Sequence, residues 1–232
     1  MEGMALHFLT GAGSGIGAAL AARLQARGDD LILLARSEAR AAELGERFPA
    51  ARTVVADLSA PGELAAALAA QELPTRLDSV LHVAGVVGLG PVAELSVDAW
   101  SSQLDVNLVA PAELTRLLLP ALRAAKGQVL FVNSGAGLRA APEWAAYAAS
   151  KHGLKALADS LRAEEAAHGV RVSSVYPGRT ATAMQERVHE QEGRDYDPAA
   201  FIDAGSVVTS ILTVLDLPRD AQIPDLTIRP GV

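Results

Sequence analysis

The stretch Leu9-Thr10-Gly11-Ala12-Gly13-Ser14-Gly15-Ile16-Gly17 decides how the chain is read. Apolar residues from Ala5 to Leu9 lead into it as a short buried strand, and a helix pattern follows from Ile16 to about Arg27. Four glycines fall within the seven residues from Gly11 to Gly17. Glycine admits positive φ and lets an anion approach without meeting a Cβ. A helix N-terminus adds free N–H groups and the positive end of a dipole. A strand-to-helix turn of this composition suits a phosphate. Its spacing is Thr-Gly-x-x-x-Gly-x-Gly, not G-x-G-x-x-G, because Ile16 stands where that motif, counted from Gly11, needs glycine. A tight turn holding no ligand is the plain alternative, so the rest of the chain must decide.

The 232 residues carry 20 Lys and Arg against 27 Asp and Glu, and half are hydrophobic. A chain of this size can bury a sizeable core. A net charge of −7 with no basic run speaks against a nucleic-acid groove. There is no cysteine, hence no disulfide or thiolate metal site, which fits a reducing cytoplasm. No signal peptide and no membrane span are read; Leu117 to Leu122 comes closest to a span, but Arg116, Pro120 and Arg123 interrupt it. His189-Glu190 resembles half of a zinc-protease motif, but position 193 is Gly, so the pair reads as solvated surface and no metal site is expected.

Strand and helix patterns alternate along the chain. Strands are expected at 31–35, 53–56, 80–84, 129–132, 170–175 and 226–228. Helices are expected from Ser37 to about Arg47, after Pro61, from Ser96 towards Ala125, from Glu143 to about His168, and from Ala199 to Leu217. Pro111 and Pro120 should kink or divide the helix that contains them. Arg179 to Asp197 reads as polar and irregular, and 184–201 as a mobile flap over a substrate. Repeated βα units with short apolar strands predict one doubly wound, Rossmann-like domain of about seven parallel strands, with helices on both faces. Ligands of such sheets bind beyond the carboxyl ends of the strands.

Ser134 follows the fifth strand, Tyr147 lies 13 residues later, and Lys151 four beyond that. On a helix, i and i+4 share a face. Together with the glycine turn, these residues make the chain similar to the short-chain dehydrogenase/reductase family, in its single-domain branch. The resemblance spans nearly the whole chain. It rests on Thr10-Gly11-x-x-x-Gly15-Ile16-Gly17, Asp57-Leu58, Ala84-Gly85, Asn107, Ser134-x-x-Gly137, Tyr147-Ala-Ala-Ser150-Lys151 and Pro177-Gly178-x-x-x-Thr182.

The family resemblance implies an oxidoreductase that interconverts a carbonyl compound and a secondary alcohol. Tyr147 is the implied general acid and base, Ser134 orients the substrate oxygen, Lys151 holds the nicotinamide ribose, and Asn107 positions a water joined to that lysine. A free tyrosine has a pKa of about 10. A nearby ammonium and an oxidised nicotinamide both favour its phenolate. The implied cofactor contacts are Thr10, Gly11, Gly13, Ser14, Gly15, Ile16, Gly17, Asp57, Leu58, Ala84, Gly85, Asn107, Tyr147, Lys151, Pro177, Gly178, Thr180 and Thr182.

The second strand ends Leu34-Ala35-Arg36-Ser37. An acid here would bind the adenosine ribose and repel a 2′-phosphate. Ala35 holds that place, while Arg36 can pair with a 2′-phosphate and Ser37 can add a hydroxyl. The reading is NADP(H) over NAD(H), with a solvated Arg36 as the alternative. Val86, Leu138, Trp144, Met184 and the flap up to Phe201 should bound a mainly apolar substrate pocket, where Arg139 and Arg179 could meet an anionic group or simply face water.

Many relatives carry Asn-Asn where this chain has His82-Val83; His82 is expected in the core and Asn133 in a structural role. The helices at 97–125 and 143–168 resemble the family's dimer-forming pair, so a homodimer is expected, with a tetramer possible. A non-enzymatic dinucleotide-binding regulator would keep the glycine turn and lose the Tyr or Lys. A nucleotide-sugar epimerase or dehydratase would need a larger C-terminal substrate domain.

Overall fold

A computed structural model describes residues 4–231. Seven strands form one sheet: β1 (Leu6–Thr10), β2 (Asp30–Ala35), β3 (Arg52–Val55), β4 (Ser79–His82), β5 (Gln128–Val132), β6 (Arg171–Pro177) and β7 (Asp225–Ile228). All neighbours pair in parallel, in the order β3-β2-β1-β4-β5-β6-β7. The chain winds outward from β1 to β3, then returns to place β4 on the other side of β1. That reversal opens a crevice beyond the carboxyl ends of β1 and β4.

Side chains alternate across a strand, and here both faces are apolar. Phe8, Ile32, Leu34 and Val80 enter one layer with Leu114, Leu118 and Leu122 of α5 (Ala110–Ala125) and Leu154 and Leu161 of α6 (Ala145–Glu165). Their neighbours Leu9, Leu31, Leu33 and Leu81 enter the other with Leu20 and Leu24 of α1 (Gly15–Ala26), Leu44 of α2 (Glu38–Arg47) and Val207 and Ile211 of α8 (Ala204–Leu215). Leu64 and Leu68 of the short α3 (Leu64–Ala69) join the first layer. Strands covered on both faces read as continuous apolar runs, which is why the fold was legible. Among the described residues no helix is long and apolar enough to cross a membrane.

Three stretches refine or depart from expectation. The long helix after Ser96 is divided as expected, just before Pro111, into α4 (Val97–Leu104), a π-helical turn at Asp105–Val109, and α5. Pro111 sits in the first turn of α5, where its missing N–H is tolerated, and Pro120 stays inside the helix. The stretch expected to be irregular contains α7 (Ala183–Glu192), bounded by a Thr182 cap that accepts from the Gln185 N–H and by Gly193 at φ +63°. Residues 199–217 are helical over a shorter range, with a 3₁₀ turn at Pro198–Ala200 before α8. α7 buries only Gln185, Val188 and His189, so its apolar stripe is too thin to announce a helix.

Candidate active site

A cleft of about 860 Å³ lies beyond the strand ends, and its first wall is the glycine turn. Gly11 sits at φ +80°, and a Cβ there would lie 2.7 Å from the Ala84 backbone nitrogen. A Cβ on Gly17 would lie 2.1 Å from the Gly11 carbonyl oxygen. The turn can close this tightly only with glycine. A helix start leaves its first N–H groups without partners. Ser14 gives α1 no side-chain cap and its first turn carries no acid, so those groups are left to serve an anion in the cleft.

Thr10 was read as a cofactor contact but is buried behind this wall. Its Oγ1 accepts from the Val83 and Ala84 N–H groups, each at 3.1 Å, and joins the ends of β1 and β4. Ser37, likewise, is off the wall, capping α2 by accepting from the Arg40 N–H at 3.3 Å. The cap brings Arg40 over the turn: its guanidinium donates to the Gly13 carbonyl at 3.4 Å and pairs with Glu43. Arg40 was missed because it lies inside a helix pattern; the cap spacing Ser37-x-x-Arg40 was the available signal. Arg36 is exposed on the cleft wall, with no ion pair among the described residues. Asp57, which accepts from the Ser59 N–H at 2.9 Å, and Leu58 stand nearby.

The floor is built from β5, the π turn and α6. Asn133 accepts from the Ser134 N–H at 2.8 Å and donates to the Lys151 carbonyl at 3.1 Å, locking the strand end to α6. Ser134 Oγ accepts from the Ala136 N–H at 3.1 Å. Tyr147 and Lys151 emerge from the same face of α6, with Lys151 Nζ 5.8 Å from the Tyr147 ring centroid and donating to the Val132 carbonyl at 3.1 Å. Asn107 is buried: Oδ1 accepts from the Val86 N–H, and Nδ2 donates to the Val86 carbonyl and to Ser150 Oγ, at 2.9 to 3.0 Å. Its side chain holds the wall behind Gly85 and Val86. Pro111, four residues on, has no N–H to give the Asn107 carbonyl.

Burial sets the protonation of this floor. It pushes the Tyr147 phenol above its usual 10, with the nearby Ser134 hydroxyl pulling the other way. It pulls the Lys151 ammonium down to about 8. The expected lowering of Tyr147 by Lys151 is not found in the protein alone, because the phenol and the ammonium are both desolvated. His82 is in the core as expected, stacked on Phe131 at 4.9 Å and bonded to Thr115 at 2.8 Å, and burial lowers it to about 3.

The second wall is made of side chains. Glu143, at φ +68°, turns the chain into α6 and presents Trp144, whose ring meets Tyr147 edge-on at 5.7 Å. The Arg179 guanidinium lies 5.8 Å from the Trp144 ring and forms a two-bond pair with Glu192 at the end of α7. The segment is tied at both ends: Ala181 N–H donates to the Ile202 carbonyl at 2.8 Å and Ile202 N–H to the Arg179 carbonyl at 3.1 Å. His189, expected as solvated surface, is buried; it packs against Tyr196 and Phe201, and its Nδ1 lies 3.0 Å from the Gln185 carbonyl oxygen. No group of three or more His, Cys, Asp or Glu placed to hold a metal exists among the described residues.

Val86, Trp144 and Met184 line the cleft, as do Gly13, Ile16, Ala84, Pro177, Gly178, Thr180 and Thr182. Leu138 does not; the 3₁₀ turn Gly135–Gly137 directs it to the exterior, where it is 45% exposed. Arg139 lines the cleft, and so does Arg187 of α7, which the sequence reading missed.

Residues 6–193 match the family model described as short chain dehydrogenase. The oxidoreductase UcpA of Escherichia coli K12 is 33% identical over 220 residues, covering 92% of this chain and 81% of that protein. A short-chain dehydrogenase from Sphingobium yanoikuyae, solved in complex with NADPH, is 25% identical with a TM-score of 0.80, covering 96% of this chain and 87% of the other. A 4-hydroxyisoleucine dehydrogenase complexed with NADH is 27% identical with a TM-score of 0.83, over 98% of each chain. Sheet order, glycine turn and match along most of its length agree: this chain is an oxidoreductase of the short chain dehydrogenase family.

Proposed function

We propose that the protein reduces a small or medium carbonyl compound to a secondary alcohol, or runs the reverse reaction, with NADP(H) preferred over NAD(H). The observation that carries this reading is the shared floor of Ser134, Tyr147 and Lys151 beside an uncapped helix start. The residues fit a dinucleotide: the glycine turn leaves its pyrophosphate a backbone cradle, and Lys151 and Tyr147 stand where the nicotinamide ribose would end. A nicotinamide dinucleotide, when bound, supplies or accepts the hydride.

In reduction Tyr147 Oη would give its proton to the carbonyl oxygen, and Ser134 Oγ would orient that oxygen. The phenol raised by burial is fully protonated at neutral pH, which suits it as an acid. Lys151 and a water positioned by Asn107 would return a proton to it. The cofactor choice rests on Arg36 and Arg40, two guanidinium groups beside the end of β2 with Ala35 in place of an acid. Relatives of similar likeness hold NADPH in one case and NADH in another, so the fold does not choose. We also read α7 and its flanks as a lid that moves as a body over the substrate, and the two helical faces of α5 and α6 as the surface of a homodimer.

Tyr147→Phe keeps the ring and its packing and removes the hydroxyl that carries the proton. Turnover should fall by about 10²–10⁴-fold, while NADPH affinity, read by nicotinamide fluorescence, stays within about threefold of wild type. Full turnover in that variant would refute the mechanism. Tight cofactor binding with no turnover of a broad carbonyl panel by the wild type would favour a non-enzymatic dinucleotide-binding role.

A further inference from the structure

The chain is acidic, yet its cleft is not. Across the whole sequence 20 Lys and Arg face 27 Asp and Glu. Among the described residues the cations on the cleft wall are Arg36, Arg40, Arg139, Lys151, Arg179 and Arg187, and Asp57 is the one carboxylate. Such a concave, mainly cationic lining focuses a positive field. Most of it is accounted for. Arg36 and Arg40 stand at the adenosine end, Lys151 is buried on the floor, and Arg179 is neutralised by Glu192 and packed on Trp144. Arg139 and Arg187 are left over. Neither side chain has an ion pair or hydrogen bond among the described residues, and both are exposed.

Their placement is what makes the surplus informative. Arg139 donates its backbone N–H to the Gly135 carbonyl at 3.1 Å, which ties it to the turn that follows Ser134. Arg187 stands in the second turn of α7, on the lid. Apolar Val86, Trp144 and Met184 line the same cleft. We infer that the substrate is a carbonyl compound bearing a carboxylate, which Arg139 on the fixed wall and Arg187 on the lid receive while its carbonyl lies on Ser134 and Tyr147. The inference rests on the reductase reading and deepens it. A guanidinium presents two parallel donors matched to a carboxylate. One of them on the fixed segment after Ser134 and the other on the lid would couple substrate charge to lid closure.

The test compares straight-chain oxo acids of about four to eight carbons with their methyl esters and with oxo-phosphonates of the same length, using the wild-type protein and NADPH. The acids should exceed their esters in kcat/KM by about tenfold or more, and this preference should shrink as salt rises from low to high. Arg139→Ala and Arg187→Ala should each bring the acid-to-ester ratio close to one, through KM more than kcat, with unchanged NADPH affinity. Esters used as well as acids would overturn the inference and leave the reductase reading standing. A preference for phosphonates would overturn the choice of carboxylate. Weakened NADPH binding in Arg187→Ala would assign that residue to the cofactor and overturn the two-arginine clamp. Binding of a saturated carboxylate against the matching alcohol, by calorimetry on the NADPH complex, reads the same arginines without turnover. Arg139-dependent carboxylate binding there, with no carbonyl reduced, would fail the reductase reading alone.

Discussion

On one wall of the cleft, Gly11 to Gly17 presents backbone; on the other, Trp144, Arg139 and α7 present side chains. The first wall has no room for change. Gly11 and Gly17 are held against the Ala84 backbone and against each other, and Thr10 fastens the turn to β4 from behind. The second wall is assembled from long side chains and held by one ion pair, a stacked tryptophan and two backbone bonds at its base. A backbone site serves any ligand with the same phosphate geometry. A side-chain site can be rebuilt residue by residue to change what is recognised. The difference explains why the cofactor class is readable here and the substrate has to be argued from charge.

The contrast can be broken most severely at Gly17. Gly17→Ala puts a methyl group into the Gly11 carbonyl, so the turn must open; a loss of about 3 kcal/mol or more in stability and of measurable NADPH binding should follow in denaturant titrations and fluorescence. Near-normal binding would show that the first wall also tolerates side chains. Next, Arg36→Ala and Arg40→Ala should each weaken NADPH by about tenfold or more through loss of a charge-assisted contact, with NADH changed less than about twofold. Equal effects on both nucleotides would remove the 2′-phosphate role.

A third prediction concerns the floor shared by both walls. The Lys151 ammonium is held at about 8 when folded, against an ordinary 10.5. Between these values the unfolded chain binds more protons than the native one, so stability rises with pH. Wild-type Tm minus that of Lys151→Met should therefore increase between about pH 8 and 10, by an amount on the order of 2 kcal/mol in stability. A flat difference would mean that the buried lysine is already neutral or well solvated. The smallest effect is expected at Glu192→Gln. Its pair with Arg179 is partly exposed, so the global cost should stay below about 1 kcal/mol. Amide exchange should nonetheless quicken across residues 183–192 and leave 11–17 unchanged. Uniform exchange across both walls would sink the lid reading.

The long-range order of the sheet was legible because buried parallel strands and glycine turns leave strong local marks. So was the shared face of Tyr147 and Lys151 on α6, since the two are one turn apart and helix geometry alone brings them together. Other features depended on contacts between elements distant in the chain. Thr10 is turned away from the cleft by β4, Leu138 is turned out by a 3₁₀ turn, and His189 is drawn inward by Tyr196 and Phe201. The helix α7 was hidden by its polar surface, although the cap Thr182-x-x-Gln185 marks its start.

Spacing and composition settled the doubly wound fold and marked the glycine turn and the Ser134, Tyr147 and Lys151 set as candidates, because each follows from backbone geometry over a few residues. Packing alone decided that burial, not the neighbouring lysine, governs the Tyr147 phenol. It also decided that Arg179 is spent on Glu192, while Arg40 reaches the glycine turn. Those outcomes depend on desolvation and on which opposite charge lies nearest, quantities that exist only once the chain has brought its distant residues together.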